Sequence, residues 1–223
     1  MLPNRTVINT SRSELATNTV IRNTWLLLSL TLLFSAGTAF LGTIHPPAMG
    51  GLIATFIAGF ILLFVTQMLR NSGWGILCVF AFTGCMGYSM GPMLNQFIRG
   101  YTNGGQLILT SLAATGTFFF VSSAWIVTTK RDLSGWGKTL MIGLIVCVFA
   151  GLANLFLHMS AMQLAISSMM VVISACLMMY DTSRIIHNGE TNYIMATISL
   201  YLDILMLFQN LLILLGEFSG NRK

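Results

Sequence analysis

Charge is what this sequence has least of. Asp, Glu, Lys and Arg make up 8% of its 223 residues, against about 25% in an ordinary soluble domain. Apolar residues reach 55% and the mean hydropathy is +0.80. A water-facing surface cannot be built from this composition, which leaves a polytopic membrane protein with the lipid bilayer as its solvent. The net charge of +5 is no nucleic-acid footprint, because the basic residues are scattered singly between apolar runs. Cysteine is scarce too. Cys78, Cys85, Cys147 and Cys176 lie inside apolar runs without a CxxC pair, which indicates neither a disulfide framework nor a zinc site. His45, His158 and His187 fall at separate helix ends without ligand spacing. Gly137-Lys138-Thr139 copies only the end of a phosphate-binding loop, with Asp132 where that motif needs Gly and no strand before it. No catalytic triad, metal cluster or cofactor motif can be assembled, so the chain reads as a non-enzyme.

The gaps between charges count the spans. Arg22 and Arg70 are separated by 47 uncharged residues, and a helix needs about 20 to cross the hydrocarbon. Two crossings fit, turning at His45-Pro46-Pro47 and Gly50-Gly51. One crossing fits between Arg70 and Arg99 and one between Arg99 and Lys130. Two fit in the 42 residues between Lys138 and Asp181, broken near Asn154 to Gln163, and a last apolar run between Glu190 and Glu217 contains Asp203. The expected helices are Trp25 to Thr43, Gly51 to Leu69, Trp74 to Leu94, Leu107 to Thr128, Thr139 to Leu157, Leu164 to Ile186 and Ile198 to Gly216. They divide the chain into a disordered polar tail over residues 1–22, a seven-helix transmembrane domain over 23–218 and a short tail over 219–223.

Basic residues set the expected orientation. With a cytoplasmic N-terminus, that side collects Arg5, Arg12, Arg22, Arg70, Lys130, Arg131, Lys138 and Arg184, and the other side Arg99, Arg222 and Lys223. A re-entrant seventh segment would instead return Arg222 and Lys223 to the cytoplasm; a full crossing is the preferred reading. The first 22 residues are polar and too long for the basic region of a signal peptide.

Polar residues inside the spans carry the remaining information. In the sixth helix Ser167, Ser174 and Asp181 recur every seven residues on one face, and in the seventh Ser199, Asp203, Met206 and Asn210 follow the i, i+4, i+7, i+11 pattern of one face. The fourth adds Ser111, Thr115 and Ser122. Hydroxyls commonly bond back to their own helix, whereas a carboxylate at membrane depth is expensive and usually functional. Asp181 lies about one turn from the end of its helix, and Asp203 reaches the same depth if the seventh helix enters near Ile198. Two such carboxylates within hydrogen-bonding distance cannot both ionise cheaply and share a proton, which makes Asp181 and Asp203 a candidate pH sensor, ion gate and weak cation site. The plainer alternative turns Asp181 toward Arg184 and gives Asp203 a hydroxyl partner. In the third helix, Gly87 and Gly91 form a GxxxG that allows close helix approach. Pro92 frees a carbonyl there and Asn95 follows one turn on, which suits either a cavity-lining kink or plain packing.

Five stretches carry a resemblance: Arg22 to Ala36, FAFTGCMGYSMGPMLN from Phe80 to Asn95, TTKRDLS from Thr128 to Ser134, YDTSRIIHNGETNYIMATISLYLD from Tyr180 to Asp203, and the terminal LLILLG. Together they resemble the Bax inhibitor superfamily, and within it the bacterial YccA branch of modulators of the membrane-bound AAA protease FtsH. The resemblance implies a seven-helix all-α bundle with the C-terminal helix central, surrounded by the other six, in a bacterial inner membrane. It also implies an FtsH-type protease complex as partner, with the tail up to Arg22 as a segment an unfoldase could grasp. In calcium-leak members the YD of the sixth helix and the LYLD of the seventh form a pH-sensing pair, at Asp181 and Asp203 here, and an arginine ending the second helix can pair with them; Arg70 is the candidate. A pH-gated leak for calcium or protons is therefore the competing function.

Overall fold

The computed structural model describes the backbone of residues 5–187 and 189–220, with side chains from Asn18 onward. Seven helices follow one another: α1 (Arg5–Ile44), α2 (Met49–Leu69), α3 (Trp74–Gly100), α4 (Gly104–Thr129), α5 (Gly137–Leu157), α6 (Ser160–Ile186) and α7 (Tyr193–Ser219). A short 3-10 turn, Ser134–Trp136, precedes α5. Each helix contains a stretch long and apolar enough to cross a membrane, and no strand occurs among the described residues. The seventh segment is one continuous helix of 27 residues.

Three boundaries lie five or more residues from the sequence expectation. α1 is helical from Arg5, so no break in the backbone marks the tail boundary expected at Arg22. A helix once nucleated gains a hydrogen bond for each further residue fixed, so it can continue beyond the apolar stretch. Residues 1–4 and 221–223, with Arg222 and Lys223 among them, lie outside the described residues. α3 continues through Pro92 to Gly100, because a proline inside a packed membrane helix removes one N–H without ending it. α7 starts at Tyr193, five residues early, because Asn192 caps it: its side-chain oxygen accepts from the N–H groups of Ile194 (3.0 Å) and Met195 (3.3 Å).

α7 packs against α1, α3, α4 and α6. α2 lies against α3 and α5 against α6 as an outer layer, so four of the six other helices form the immediate surroundings of α7. Val79, Phe82, Met178, Leu200 and Tyr201 are fully buried in the central cluster. The outward faces of α2 and α5 expose Phe56, Phe60, Phe64, Ile142, Phe149 and Phe156, an apolar surface suited to hydrocarbon rather than water. α1 and α3 cross closely where Gly42 meets Gly91 and Gly87 faces Ser35, so the GxxxG acts in packing. The contact is fixed by Asn95, whose amide donates to the Thr43 carbonyl at 2.7 Å. At the core, the Tyr201 hydroxyl bonds Ser35 Oγ at 2.7 Å and donates to the Thr83 carbonyl at 3.2 Å, joining α7, α1 and α3.

Candidate functional site

The end of α6 and the start of α7 bring the two membrane carboxyls together. Asp203 is 4% exposed and faces Asp181 carboxyl to carboxyl, within hydrogen-bonding reach. Asp203 Oδ2 meets no N–H or O–H donor among the described residues. An ionised carboxylate only accepts hydrogen bonds, so a bond between these two requires that one carry a proton. Asp181 has a second neighbour: Arg184 Nη1 lies 3.4 Å from its Oδ1, while Nη2 of the same guanidinium lies 3.6 Å from Glu190 Oε2. The guanidinium also sits 5.7 Å from the Tyr180 ring centroid, a cation–π distance.

The connection between the helices is built around this arginine. The Arg184 carbonyl accepts from the backbone N–H of Gly189 (2.8 Å) and Glu190 (3.2 Å). Glu190 Oε1 accepts from Asn192 N at 3.0 Å. The Asn192 amide donates to the Arg70 carbonyl (2.9 Å) and to Asn71 Oδ1 (3.1 Å). Arg70 therefore reaches the site's margin through its backbone; its side chain is exposed and forms no ion pair among the described residues. The guanidinium beside Asp181 is that of Arg184, three residues along the same helix.

A further latch lies one turn away. His187 places Nδ1 2.9 Å from the Ser183 carbonyl and Nε2 3.1 Å from the Lys130 carbonyl. Ser183 Oγ donates to the Arg131 carbonyl and accepts from Leu133 N, both at 3.0 Å. The α4–α5 connection is thereby tied to the end of α6. Within it, Asp132 accepts from Ser134 N at 2.9 Å, and this bond holds the Asp132 carboxyl below the usual carboxylate range. Asp132 thus opens the 3-10 turn before α5, and the likeness to a phosphate-binding loop has no structural counterpart.

Most stripe hydroxyls donate to their own helices, but Ser167 Oγ is buried with no hydrogen-bond partner among the described residues. Ser111 bonds the Leu107 carbonyl, Thr115 that of Ser111 and Ser174 that of Met170, and the Asn210 amide returns to the Met206 carbonyl. Among the described residues no group of three or more His, Cys, Asp or Glu is placed to hold a metal, and all four cysteines are free. The Asn192 cap could have been found as an Asn immediately before an apolar run. The Ser35–Tyr201 bond had no local signal, its partners standing 166 residues apart.

Comparison with known proteins follows the same lines. "Modulator of FtsH protease YccA" of Escherichia coli K12 is 44% identical over 204 residues, covering 92% of each chain. "Inner membrane protein YccA" of E. coli O6:H1 matches to the same extent. An uncharacterized membrane protein of Vibrio cholerae is 42% identical over 208 residues, 93% of each chain. A family model described as "Inhibitor of apoptosis-promoting Bax1" matches residues 17–220, which include every helix crossing and both carboxyls of the site, and the chain belongs to this Bax inhibitor family.

Proposed function

We propose that this protein is a non-catalytic regulator in a bacterial inner membrane that binds and modulates an FtsH-type membrane protease, with its N-terminus in the cytoplasm. The observation that carries this reading is 44% identity over 92% of both chains to a relative named as a modulator of that protease; the inner-membrane assignment rests on the printed name of a second relative. The excess of Lys and Arg on the N-terminal side favours the orientation. In this reading the polar segment up to Arg22 lies ahead of the apolar run that starts at Trp25 and offers an ATP-driven unfoldase a place to start. The test pairs co-purification of the full chain with FtsH and its lifetime in cells with and without the protease. FtsH should be retained, and deleting Leu2 to Asn18 should lengthen the lifetime only where the protease is present. Failure to retain FtsH overturns the reading; retention with unchanged lifetime removes the tail as the handle.

A second activity, a pH-gated leak for calcium or another cation, is favoured by the facing carboxyls of Asp181 and Asp203. In this reading the shared proton is the gate, and Arg184 rather than Arg70 is the cation that latches the ionised pair. The assay is cation flux into liposomes at a series of pH values from about 5 to 8. Asp181→Asn, Asp203→Asn and the double variant should all abolish the pH dependence, the double resembling either single. Wild-type flux with wild-type pH dependence in the double variant would return both residues to a packing role.

A further inference from the structure

On the side of the bundle away from α2 and α5, α1 and α4 both flank α7 without packing on each other along their length. The gap is a crevice of about 520 Å³, floored by α7 and α3. One end is closed, where the ring of Trp25 meets Phe119 edge to face at 6.5 Å between centroids. The other end lies at Thr43, Ile98 and Ile108. Its rim residues Phe40, Leu112 and Phe120 are exposed, so the crevice opens sideways at the depth of the hydrocarbon.

Water has little to hold it there, only the spare lone pairs of a few scattered hydroxyls. The lining hydroxyls are already engaged: Ser29 with the Trp25 carbonyl, Thr43 with that of Ala39, Thr115 with that of Ser111, and Ser35 with Tyr201. A buried water needs two to four polar partners, and leaving the lining without contacts forfeits its dispersion energy. The dimensions narrow the occupant. The lining runs from Ile108 to Phe120 along α4 and from Trp25 to Thr43 along α1, about 18 and 27 Å at 1.5 Å per residue, an elongated slot within the ~30 Å of the hydrocarbon. At roughly 30 Å³ for a group the size of a water or methylene, the volume takes about 17 such groups, which is one acyl chain and far less than a spanning helix. Charge agrees as well: Arg99 directly follows Ile98 at the open end and is the sole formal charge between Arg70 and Lys130, where a lipid phosphate would lie.

We propose that this crevice binds one acyl chain of a bilayer phospholipid, entering from the leaflet at the Thr43–Ile98 end with its phosphate at Arg99. The test is native mass spectrometry of the full chain reconstituted in a phosphatidylethanolamine and phosphatidylglycerol bilayer and then taken into mild detergent. Gly116 and Gly37 are matched probes: a Cβ at either meets no atom within 4 Å, but Gly116 lines the crevice and Gly37 does not. The wild-type chain should keep one phospholipid after loosely attached lipid is stripped. Gly116→Leu should lower that bound fraction at least tenfold, and Gly37→Leu should leave it unchanged. Ala36→Leu, on the opposite wall, should repeat the loss and decides the matter if Gly116→Leu does not fold. Loss of all phospholipid from the wild type, retention in the crevice variants, equal loss in Gly37→Leu, or a second copy of the chain in place of lipid would each overturn the proposal.

Discussion

Gly91→Ala tests whether the α1–α3 crossing is set by backbone contact. A Cβ at Gly91 would run into the Gly42 carbonyl group and lie 2.5 Å from Gly42 Cα. Ordinary carbon contacts begin near 3.5 Å, so α1 must retreat by about 1 Å, and the obstructing atoms are backbone that no rotamer change can clear. A gap of that size forfeits up to about half the dispersion attraction of the facing atoms. It also stretches the Asn95–Thr43 bond and the Tyr88 hydroxyl's bond to the His45 carbonyl. Overpacking of this kind costs about 1–3 kcal/mol and occasionally more, against a gain of up to about 1 kcal/mol for removing a helical glycine. The expected net loss is about 1–2 kcal/mol, roughly 5- to 30-fold in the ratio of folded to unfolded protein. Reversible SDS unfolding of the purified protein, followed by Trp fluorescence, gives the comparison. Gly116→Ala has open space and should be neutral or slightly stabilising. Gly84→Ala meets only the end of the Phe34 ring, 2.8 Å away, and should fall between. A Gly91→Ala protein as stable as Gly116→Ala would refute a crossing held by backbone contact.

Other consequences can be checked in the same preparations. Asn192→Ala removes the α7 cap and its bonds to Arg70 and Asn71, so a loss of about 1–2 kcal/mol is expected; an unchanged unfolding midpoint would show the cap to be dispensable. Tyr201→Phe deletes the hydroxyl shared by Ser35 and Thr83 and should cost about 0.6–1.5 kcal/mol, with Ser35→Ala in the Phe background adding less than it does alone. Reporter fusions after Arg70, Lys138 and His187 should read cytoplasmic and those near Pro47, Gly104 and Ser160 periplasmic; a periplasmic signal at Lys138 would invert the orientation.

The seven helices were legible because the bilayer imposes a length on every uncharged gap, and the breaks at Pro46-Pro47 and near Asn154 fell where the chain turns. Asn154 shows why: its side chain accepts from Met159 N and donates to Gln163, closing the α5–α6 turn. The approach of Asp181 and Asp203 was also readable, since both lie near the same helix-to-helix connection. The arginine was read two ways, the plainer alternative turning Asp181 toward Arg184 three residues on and the resemblance offering Arg70. The folded connection holds Arg184 between Asp181 and Glu190, and the Arg70 side chain is exposed. The crevice was hidden, because a lining residue such as Gly116 has the same composition signature as a lipid-facing one such as Gly37.

Tyr201 and Asp203 belong to α7, which follows the other six helices in chain order. Until α7 arrives, Ser35 lacks Tyr201, Asp181 has Arg184 but lacks Asp203, and the crevice between α1 and α4 lacks the α7 part of its floor. A chain ending before Tyr193 could satisfy the membrane's demand for length while leaving its polar atoms facing hydrocarbon. Insertion of α7 and closure of the polar interior are thus a single event, which gives the molecule a physical mark that separates seven-helix bundles from six-helix fragments.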